Sequence, residues 1–466
     1  MRSRPTGSDT ALTLAAAAEI ARKPPAPVFT TGSLMRHVIV MTATGSVGLI
    51  AIFAVDVLSL FWVARLGDQA YKAAIGYASQ AFFLLMSVNI GLTIAISATV
   101  SRALGAGDRP RARRLAASGL AITFLVSAAI SVALYAFRDV VLRNWMHASG
   151  EAAEVASAFL AITVPANVPM GLGMALSGVL RAAGDAKRAM YVTLAGGIVT
   201  AFADPLLILG CGLGVYGAAW ATVISRLTFL GVGAWGAIHI HNLVAPPRVK
   251  YLPHDFGPIM GIGLPSILAN LATPVSAIYV TRIWSDFGTA TVAGGAIIDR
   301  VVPLAFGVIF ALTGSIGPII GQNYGAKLFP RVRRTIDDSF VVAVGYAICA
   351  WGVLAVSGTY IASAFGASGQ SAEFVVLFCR LGALAWVFIT CLFVANTVFN
   401  NLGFPLMAMV FNWGRATLGT IPFVTLGAAW GGFFGAVVGL VLGAGIFGLA
   451  GVAVAYGLVA RLAREA

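Results

Sequence analysis

The segment Arg102–Arg114, RALGAGDRPRARR, recurs 220 residues later as Gln322–Arg334, QNYGAKLFPRVRR, and each copy follows a long apolar run. Nine residues within and just before the segment are identical at this offset, and in the first copy they are Leu92, Thr93, Ile96, Gly105, Ala106, Pro110, Arg111, Arg113 and Arg114. A chain of 466 residues that repeats itself once is predicted to contain two similar halves. In membranes, this organisation is typical of transporters whose substrate passes between the halves.

The composition places the chain in a lipid bilayer. Hydrophobic residues make up 59% of it and charged residues only 10%, which leaves too little polar surface to cover a water-soluble globule. Apolar runs long enough to cross a membrane as helices recur along the chain. We predict spans over residues 38–64, 73–100, 112–137, 152–180, 189–210, 213–238, 256–281, 290–320, 336–360, 373–399, 405–427 and 430–460. Because the runs are continuously apolar, they favour helices over barrel strands, and the predicted fold class is an all-α membrane protein with twelve transmembrane helices.

Lysine and arginine residues cluster in alternate connectors, so they share one side of the predicted bundle. The clusters lie near residues 22–36, 102–114, 181–188, 226–250, 327–334 and 461–464. The positive-inside tendency makes that side cytoplasmic and puts both termini there. The net charge of +13 is therefore interpreted as an orientation signal and a contact with anionic lipid headgroups. We expect a multi-pass protein of the inner (plasma) membrane with lipids and not nucleic acid as partners.

Two acidic residues of the first half lie inside predicted spans. Asp56 occurs in LIAIFAVDVLSLFWVA and Asp204 in GGIVTAFADPLLILG, and neither span contains a lysine or arginine. An ionised aspartate at the centre of a membrane helix costs about 2.5–3.5 kcal/mol, so such a residue has a partner or carries a proton. Thr200 lies one turn before Asp204 and is expected to hydrogen-bond its carboxyl. We interpret the pair of acids as a proton site, with sodium as the alternative ion and helix packing as the alternative role.

The second half carries a different set of polar residues. Asp299 and Arg300 are adjacent in GGAIIDRVVPLAF, and Arg415 lies within another predicted span. Because neighbouring residues on a helix point about 100° apart, Asp299 is expected to pair with an arginine of another helix, such as Arg415. The alternative is an arginine cluster that binds an anionic group of the substrate. Gln80 and Asn89 of the second span must find polar partners in lipid, for which hydrogen bonds between helices are favoured and a place in the cavity lining near the substrate is the alternative.

Several motifs in order resemble the multidrug and toxic compound extrusion (MATE) transporters, most closely their DinF-like branch. The matching stretches are VDVLSLFWVARLG around Asp56, SRALGAGDRPRARR, LRAAGDAKRAM, ADPLLILGCGLGVYGAAWATVISR and GQNYGAKLFPRVRR. Each is weak alone, but the ordered set extends over most of residues 40–340. The resemblance implies two six-helix lobes related by a pseudo-two-fold axis around a central cavity. It also implies export of organic molecules by antiport.

The resemblance further implies roles for individual residues. In DinF-like members an aspartate on helix 1 and one on helix 5 handle protons, and they match Asp56 and Asp204. Thr200 stands where the family commonly has asparagine, and Thr222 matches a family threonine on helix 6. Helix 1 lacks the proline that the family often has, so proline-driven bending is not expected here. Sodium-coupled relatives use acids of the C-lobe, where this chain offers mainly Asp299, so the resemblance favours a proton.

These inferences combine into one expected organisation and function. We predict an N-terminal cytoplasmic tail (1–35), an N-lobe (36–240), a linker (241–255) and a C-lobe (256–466). The protein is expected to be a monomer that exchanges protons for organic, cationic compounds. A flippase for a lipid-linked or anionic substrate and a passive channel are the alternatives. A membrane enzyme is disfavoured because the connectors are short, and the scattered cysteines give no metal-ligand spacing, so no cofactor and no metal are expected.

Overall fold

A computed structural model describes residues 27–66, 69–246 and 248–465. Throughout that part of the chain the regular structure is helical, without a strand. The helices of the first half are α1 Leu34–Ala64, α2 Gln69–Gly105, α3 Arg109–Val140, α4 in two segments Gly150–Thr163 and Asn167–Ala182, α5 Ala186–Pro205 and α6 Val215–Ala234. Turns of π-helix extend α3, α5 and α6 to Trp145, Gly210 and Ile240. The segments of α4 meet at a bend of 50° and together cross the bundle once.

The second half repeats this pattern. Its helices are α7 Leu252–Asp286, α8 Thr289–Gly325, α9 Phe329–Ala364, α10 in two segments Gly369–Arg380 and Ala385–Leu402, α11 over 405–430 and α12 over 433–465. Ten helices of the described chain are long and apolar enough to span a membrane, or eleven when the bent α4 is included. One of these, Pro405–Glu465, contains both α11 and α12.

A tight hairpin joins α11 to α12, which completes the predicted twelve helices. The backbone is non-helical at Gly431 and Gly432, where Gly432 has a φ of +61°. On either side the two helices touch through glycine, since a Cβ on Gly427 would lie 2.1 Å from the carbonyl oxygen of Gly435. A Cβ on Gly443 would lie 1.5 Å from the carbonyl oxygen of Gly419, so the contact continues for several turns. Two separate antiparallel spans are therefore present, and the predicted fold class is confirmed.

The duplication predicted from the sequence appears as a symmetric contact between α2 and α8. A Cβ on Gly105 would lie 2.0 Å from the carbonyl oxygen of Gln322, and a Cβ on Gly325 would lie 2.1 Å from that of Arg102. Both contacts join the same two positions of the repeat, offset by 220 residues. The turn after each helix also has matching backbone, with φ of +76° at Gly107 and +58° at Lys327.

The arginine-rich connectors meet at one end of the bundle, which we call the basic end. A side-chain NH2 group of Arg109 donates to the carbonyl of His241 at 2.6 Å, and Arg114 pairs with the buried Asp255 at 3.1 Å. Asp185 caps α5 by accepting from the backbone of Arg188 at 3.0 Å and lies 2.7 Å from a ring nitrogen of His241. Burial alone would raise the pKa of the Asp185 carboxyl, but these hydrogen bonds and the Arg188 guanidinium hold that pKa below its ordinary value. The contacts fix three connectors against one another, those between α2 and α3, α4 and α5, and α6 and α7.

Candidate ion-coupling and substrate site

Among the side chains that the structure describes, Asp204 is a buried acid without a cationic partner. It lies near the end of α5, and only 1% of its surface is exposed. The hydroxyl of Ser59, on α1, donates to one carboxylate oxygen. Among the described residues no lysine, arginine or histidine forms an ion pair with it. A buried carboxyl with only a hydroxyl partner is expensive in its ionised form, so this environment suits a group that takes up a proton.

Thr200 and Thr222, the two threonines of the predicted coupling site, bind the backbone of their own helices. Thr200 donates to the carbonyl of Gly196 at 3.0 Å, so the predicted contact between its hydroxyl and the Asp204 carboxyl is wrong. The physical reason is local, because a threonine within a helix can always reach the carbonyl one turn earlier. Thr222 likewise donates to Ala218 at 2.9 Å. Ser225 of α6 donates to the same Gly196 carbonyl at 3.0 Å and so joins α5 to α6.

Asp56 falls in α1, as predicted, but its side chain lies outside the residues whose side chains the structure describes. Ser59, three positions later, is the residue that sequence reasoning missed. The available signal was a hydroxyl in an otherwise apolar helix, less than one turn from an acid. That signal is weak, because most membrane serines bind their own helix backbone, and only the packing of α1 against α5 gives Ser59 its partner.

Asn89 is part of a hydrogen-bond network inside the N-terminal half. Its amide donates to the carbonyl oxygen of Asn167 at 2.8 Å and accepts from Ser127 at 3.0 Å. The Asn167 amide in turn donates to Ser131 at 3.2 Å. Asn89 is 1% exposed, and its side chain joins α2, α3 and α4. The hydrogen bonds between helices expected for Asn89 are therefore present, and a substrate role for it stays a prediction. Gln80, which precedes Asn89 on α2, is exposed.

The predicted ion pair between Asp299 and Arg415 does not form. Asp299 and Arg300 are both exposed on α8, whereas Arg415 is buried in α11 with 6% of its surface exposed. The guanidinium of Arg415 reaches only the hydroxyl of Thr273, at 3.5 Å, and its Nε has no partner. Sequence alone placed these residues in the same lobe but could not give the rotation of α8, which leaves Asp299 exposed and away from Arg415.

Arg181 is a second arginine that lacks a described carboxylate partner. It lies in the last turn of α4, and its guanidinium donates to Ser177 at 3.0 Å. Its Nε would be 3.9 Å from a Cβ on Gly314 of α8, so the side chain lies at the boundary between the two halves. Arg181 was predicted to lie in a connector, because residues 181–188 form one basic cluster in the sequence. Helix α4 continues through Ala182 and carries Arg181 into the bundle.

Together these features define a class of protein. Twelve spanning helices form two repeated halves, the halves close against each other at the basic end, and polar residues without full pairing lie inside the bundle. This is the architecture of a membrane transporter built from internal repeats.

Comparison with known proteins identifies the family. The MatE family matches residues 46–206 and 265–426, one match in each half of the chain, and the chain belongs to this family of MATE transporters. The FAD transporter of Shewanella oneidensis is 26% identical over 86% of this chain and 89% of its own length. The multidrug export protein MepA of Staphylococcus haemolyticus is 25% identical over 80% of each chain.

Solved structures agree with the fold. A crystal structure of the MATE transporter VcmN of Vibrio cholerae, in mutant form, matches with a TM-score of 0.87 at 22% identity, covering 92% of this chain and 97% of that one. A MOP superfamily transporter of Pyrococcus furiosus matches with a TM-score of 0.87 at 20% identity, covering 95% and 99%. The fold and family predicted from the ordered motifs are thus confirmed, whereas membership of the DinF-like branch stays a prediction.

Proposed function

We propose that the protein is a secondary active exporter that exchanges protons for organic compounds by alternating access between its two lobes. The observation that carries this proposal is the environment of Asp204, which is 1% exposed and, among the described side chains, is bonded only to the Ser59 hydroxyl. An isolated buried carboxyl is stable when protonated and costly when ionised. A group of that kind links proton uptake to a change of packing. Asp56, three residues before Ser59 on α1, is proposed as the second acid.

The proposed cycle uses the cost of burying charge. When Asp204 is ionised, a state that lets water reach the N-lobe is favoured. Uptake of a proton from outside removes the charge and favours the packed state in which α1 contacts α5. Because a ligand shifts an equilibrium only by its differential affinity for the two states, the proton must bind one state more tightly. The basic end is the proposed cytoplasmic side, and release of the proton there resets the carrier.

The test is efflux of a fluorescent organic cation from proteoliposomes with an imposed pH gradient. Asp204→Asn and Asp56→Asn are each expected to abolish the response to the gradient, because asparagine cannot exchange a proton. Asp139→Asn is the matched control, since Asp139 is also in the first half but is exposed. A sodium gradient at constant pH tests the alternative ion. Full gradient-driven efflux by Asp204→Asn would refute the proposed site.

A second candidate function is export of an organic anion. Arg181 and Arg415 lie inside the bundle, and neither forms an ion pair with any described carboxylate. A buried cation without a counter-ion suits a phosphate or carboxylate of the substrate. The relative from Shewanella oneidensis is named for FAD, a doubly phosphorylated compound. Competition of FAD and of an organic cation for the same efflux would decide between the two classes, and Arg415→Gln should weaken only the anion.

A further inference from the structure

The chain just before α1 binds the second half of the molecule at the basic end. We call residues 27–33 the N-terminal strap. Phe29 of the strap is 1% exposed and packs within the core of the C-terminal half. Its backbone N–H donates to Oε1 of Gln322 at 2.9 Å, and its carbonyl accepts from the amide of Asn323 at 3.1 Å. The strap leads directly into α1, but these hydrogen bonds join it to the end of α8.

A single arginine binds most of the strap backbone. One NH2 group of Arg331, in the first turn of α9, lies 3.0 Å from the carbonyl oxygen of Phe29 and 3.2 Å from those of Thr31 and Gly32. The Nε of Arg331 donates to Asn323 at 3.0 Å, which fixes the guanidinium. Charge-assisted hydrogen bonds of this kind are about twice as strong as neutral ones. Arg331 is therefore the main anchor of the strap.

The same strap also contacts the first half. The side chain of Val28 lies against the turn between α4 and α5, where a Cβ on Gly184 would be 3.0 Å from it. Gln322 makes a second connection, since its Nε2 donates to the carbonyl of Ala182, the last residue of α4, at 2.8 Å. The strap holds Oε1 of this amide and so directs Nε2 toward α4. Strap, α8 and α4 thus form one continuous contact across the boundary between the halves.

The internal repeat makes a different contact at the position equivalent to Gln322. The position equivalent to Gln322 is Arg102, which donates directly to the carbonyls of Asn400 and Asn401 near the end of α10, at 2.6 and 2.8 Å. Arg102 needs no third component to reach the opposite half. Gln322 has a shorter side chain than Arg102 and makes one hydrogen bond to the opposite half, from its Nε2 to the carbonyl of Ala182. Its Oε1 accepts a hydrogen bond from the backbone N–H of Phe29 in the strap. Arg111, the repeat equivalent of Arg331, is exposed and has no side-chain partner in the described chain.

We propose that the N-terminal strap is a latch that stabilises the state in which the basic end is closed. Opening that end separates α4 from α8, so the contact of Gln322 with Ala182 must break. While Phe29 and Arg331 hold the strap in place, Gln322 stays oriented toward α4 and the closed state is favoured. Loosening of the strap therefore raises the population that is open at the basic end. This role depends on neither the coupling ion nor the substrate.

The test measures a distance across the basic end in the full-length protein in lipid nanodiscs. Spin labels at Lys187→Cys and Lys327→Cys, both exposed positions on opposite halves, are introduced with the four native cysteines replaced. Arg331→Gln is expected to raise the ratio of long to short distances at least about tenfold, which corresponds to about 1.4 kcal/mol. Phe29→Ala should act in the same direction without changing charge, and it serves as the second variant if Arg331→Gln is not monodisperse.

The matched control is Arg111→Gln, which removes the same charge from the same repeat position. It is expected to leave the distance distribution unchanged. If Arg331→Gln and Phe29→Ala both give the distribution of the unmodified chain, the strap is not a latch. An equal shift in Arg111→Gln would also overturn the proposal, because the effect would then come from charge at the basic end. Since no transport is measured, failure here is distinct from failure of the proposed proton coupling.

Discussion

The crossing of α2 and α8 predicts the effect of one added methyl group at Gly105. In the closed arrangement a Cβ at this position would lie 2.0 Å from the carbonyl oxygen of Gln322 and 2.6 Å from its carbonyl carbon. Real Cβ contacts are essentially never shorter than 3.0 Å, and the opposing atoms belong to a backbone that cannot rotate away. Gly105→Ala therefore requires the two helices to separate by about 1 Å at the basic end.

The size of the effect follows from two opposing contributions. Overpacking a close contact costs about 1–3 kcal/mol. Replacing a helical glycine by alanine returns up to about 1 kcal/mol relative to the unfolded chain, which offsets part of the loss of folding stability but is the same in the closed and open states. The closed state is therefore destabilised relative to the open state by about 1–3 kcal/mol, or a factor of about 5–150 in population. Gly325→Ala should have a similar effect, because it is the symmetric partner in the same crossing.

The assay is the distance measurement between labels at positions 187 and 327, together with thermal unfolding in detergent. Gly105→Ala is expected to increase the long-distance population and lower the unfolding temperature. Gly345→Ala is the control, because a Cβ there meets no atom within 4 Å. If Gly105→Ala keeps the short distance and the stability of the control, the two helices do not meet in this way in a membrane, and the reasoning fails.

Three further predictions concern the polar groups. Ser59→Ala removes the hydroxyl that stabilises ionised Asp204, so the pH profile of gradient-driven efflux should move about one pH unit upward. Thr200→Val is the control and should leave the profile unchanged. If Ser59→Ala has the same profile as the unmodified chain, Ser59 is not the partner of Asp204. Asn89→Ala leaves buried amide and hydroxyl groups unpaired, which should cost about 1–3 kcal/mol of stability while efflux keeps its gradient response; a lost response would return Asn89 to the transport site. The hydrogen bonds that lower the pKa of Asp185 stabilise the folded state at any pH above the pKa of an unfolded-state aspartate, about 3.9. This stabilisation is lost as the pH falls through the lower pKa that Asp185 has in the folded state. Asp185→Asn should therefore lower the unfolding temperature most at neutral pH, with a difference that shrinks below about pH 4; a constant difference across this range would exclude the ionised carboxylate as its source.

Much of the architecture could be predicted because membrane physics leaves few choices. Apolar runs must become helices, and the repeat at Gly105 and Gly325 correctly indicated two related halves. The short connector at Gly431 and Gly432 was also predicted to separate α11 from α12, and the backbone is non-helical at both residues. These features depend on local sequence, and so they could be predicted from it.

The candidate site was less predictable because it depends on how helices rotate against one another. Burial of Asp204 followed from its apolar span, but its partner proved to be Ser59 on another helix and not Thr200 on its own. Arg415 was expected to pair with Asp299, yet Asp299 is exposed and Arg415 is buried. A rotation of one residue is about 100°, and hydropathy carries no information at that scale when both faces of a helix are apolar.

The symmetric crossing also bears on the ancestry of the chain. Gly105 of the first half touches Gln322 of the second, and Gly325 of the second half touches Arg102 of the first. With the offset of 220 residues, both contacts join the same two positions of the repeat. This is the pattern of an isologous interface, in which one surface is complementary to itself. A half-length precursor with this surface could already have assembled as a two-chain carrier. Gene fusion would then have freed each copy to diverge, as glutamine opposite arginine at positions 322 and 102 illustrates.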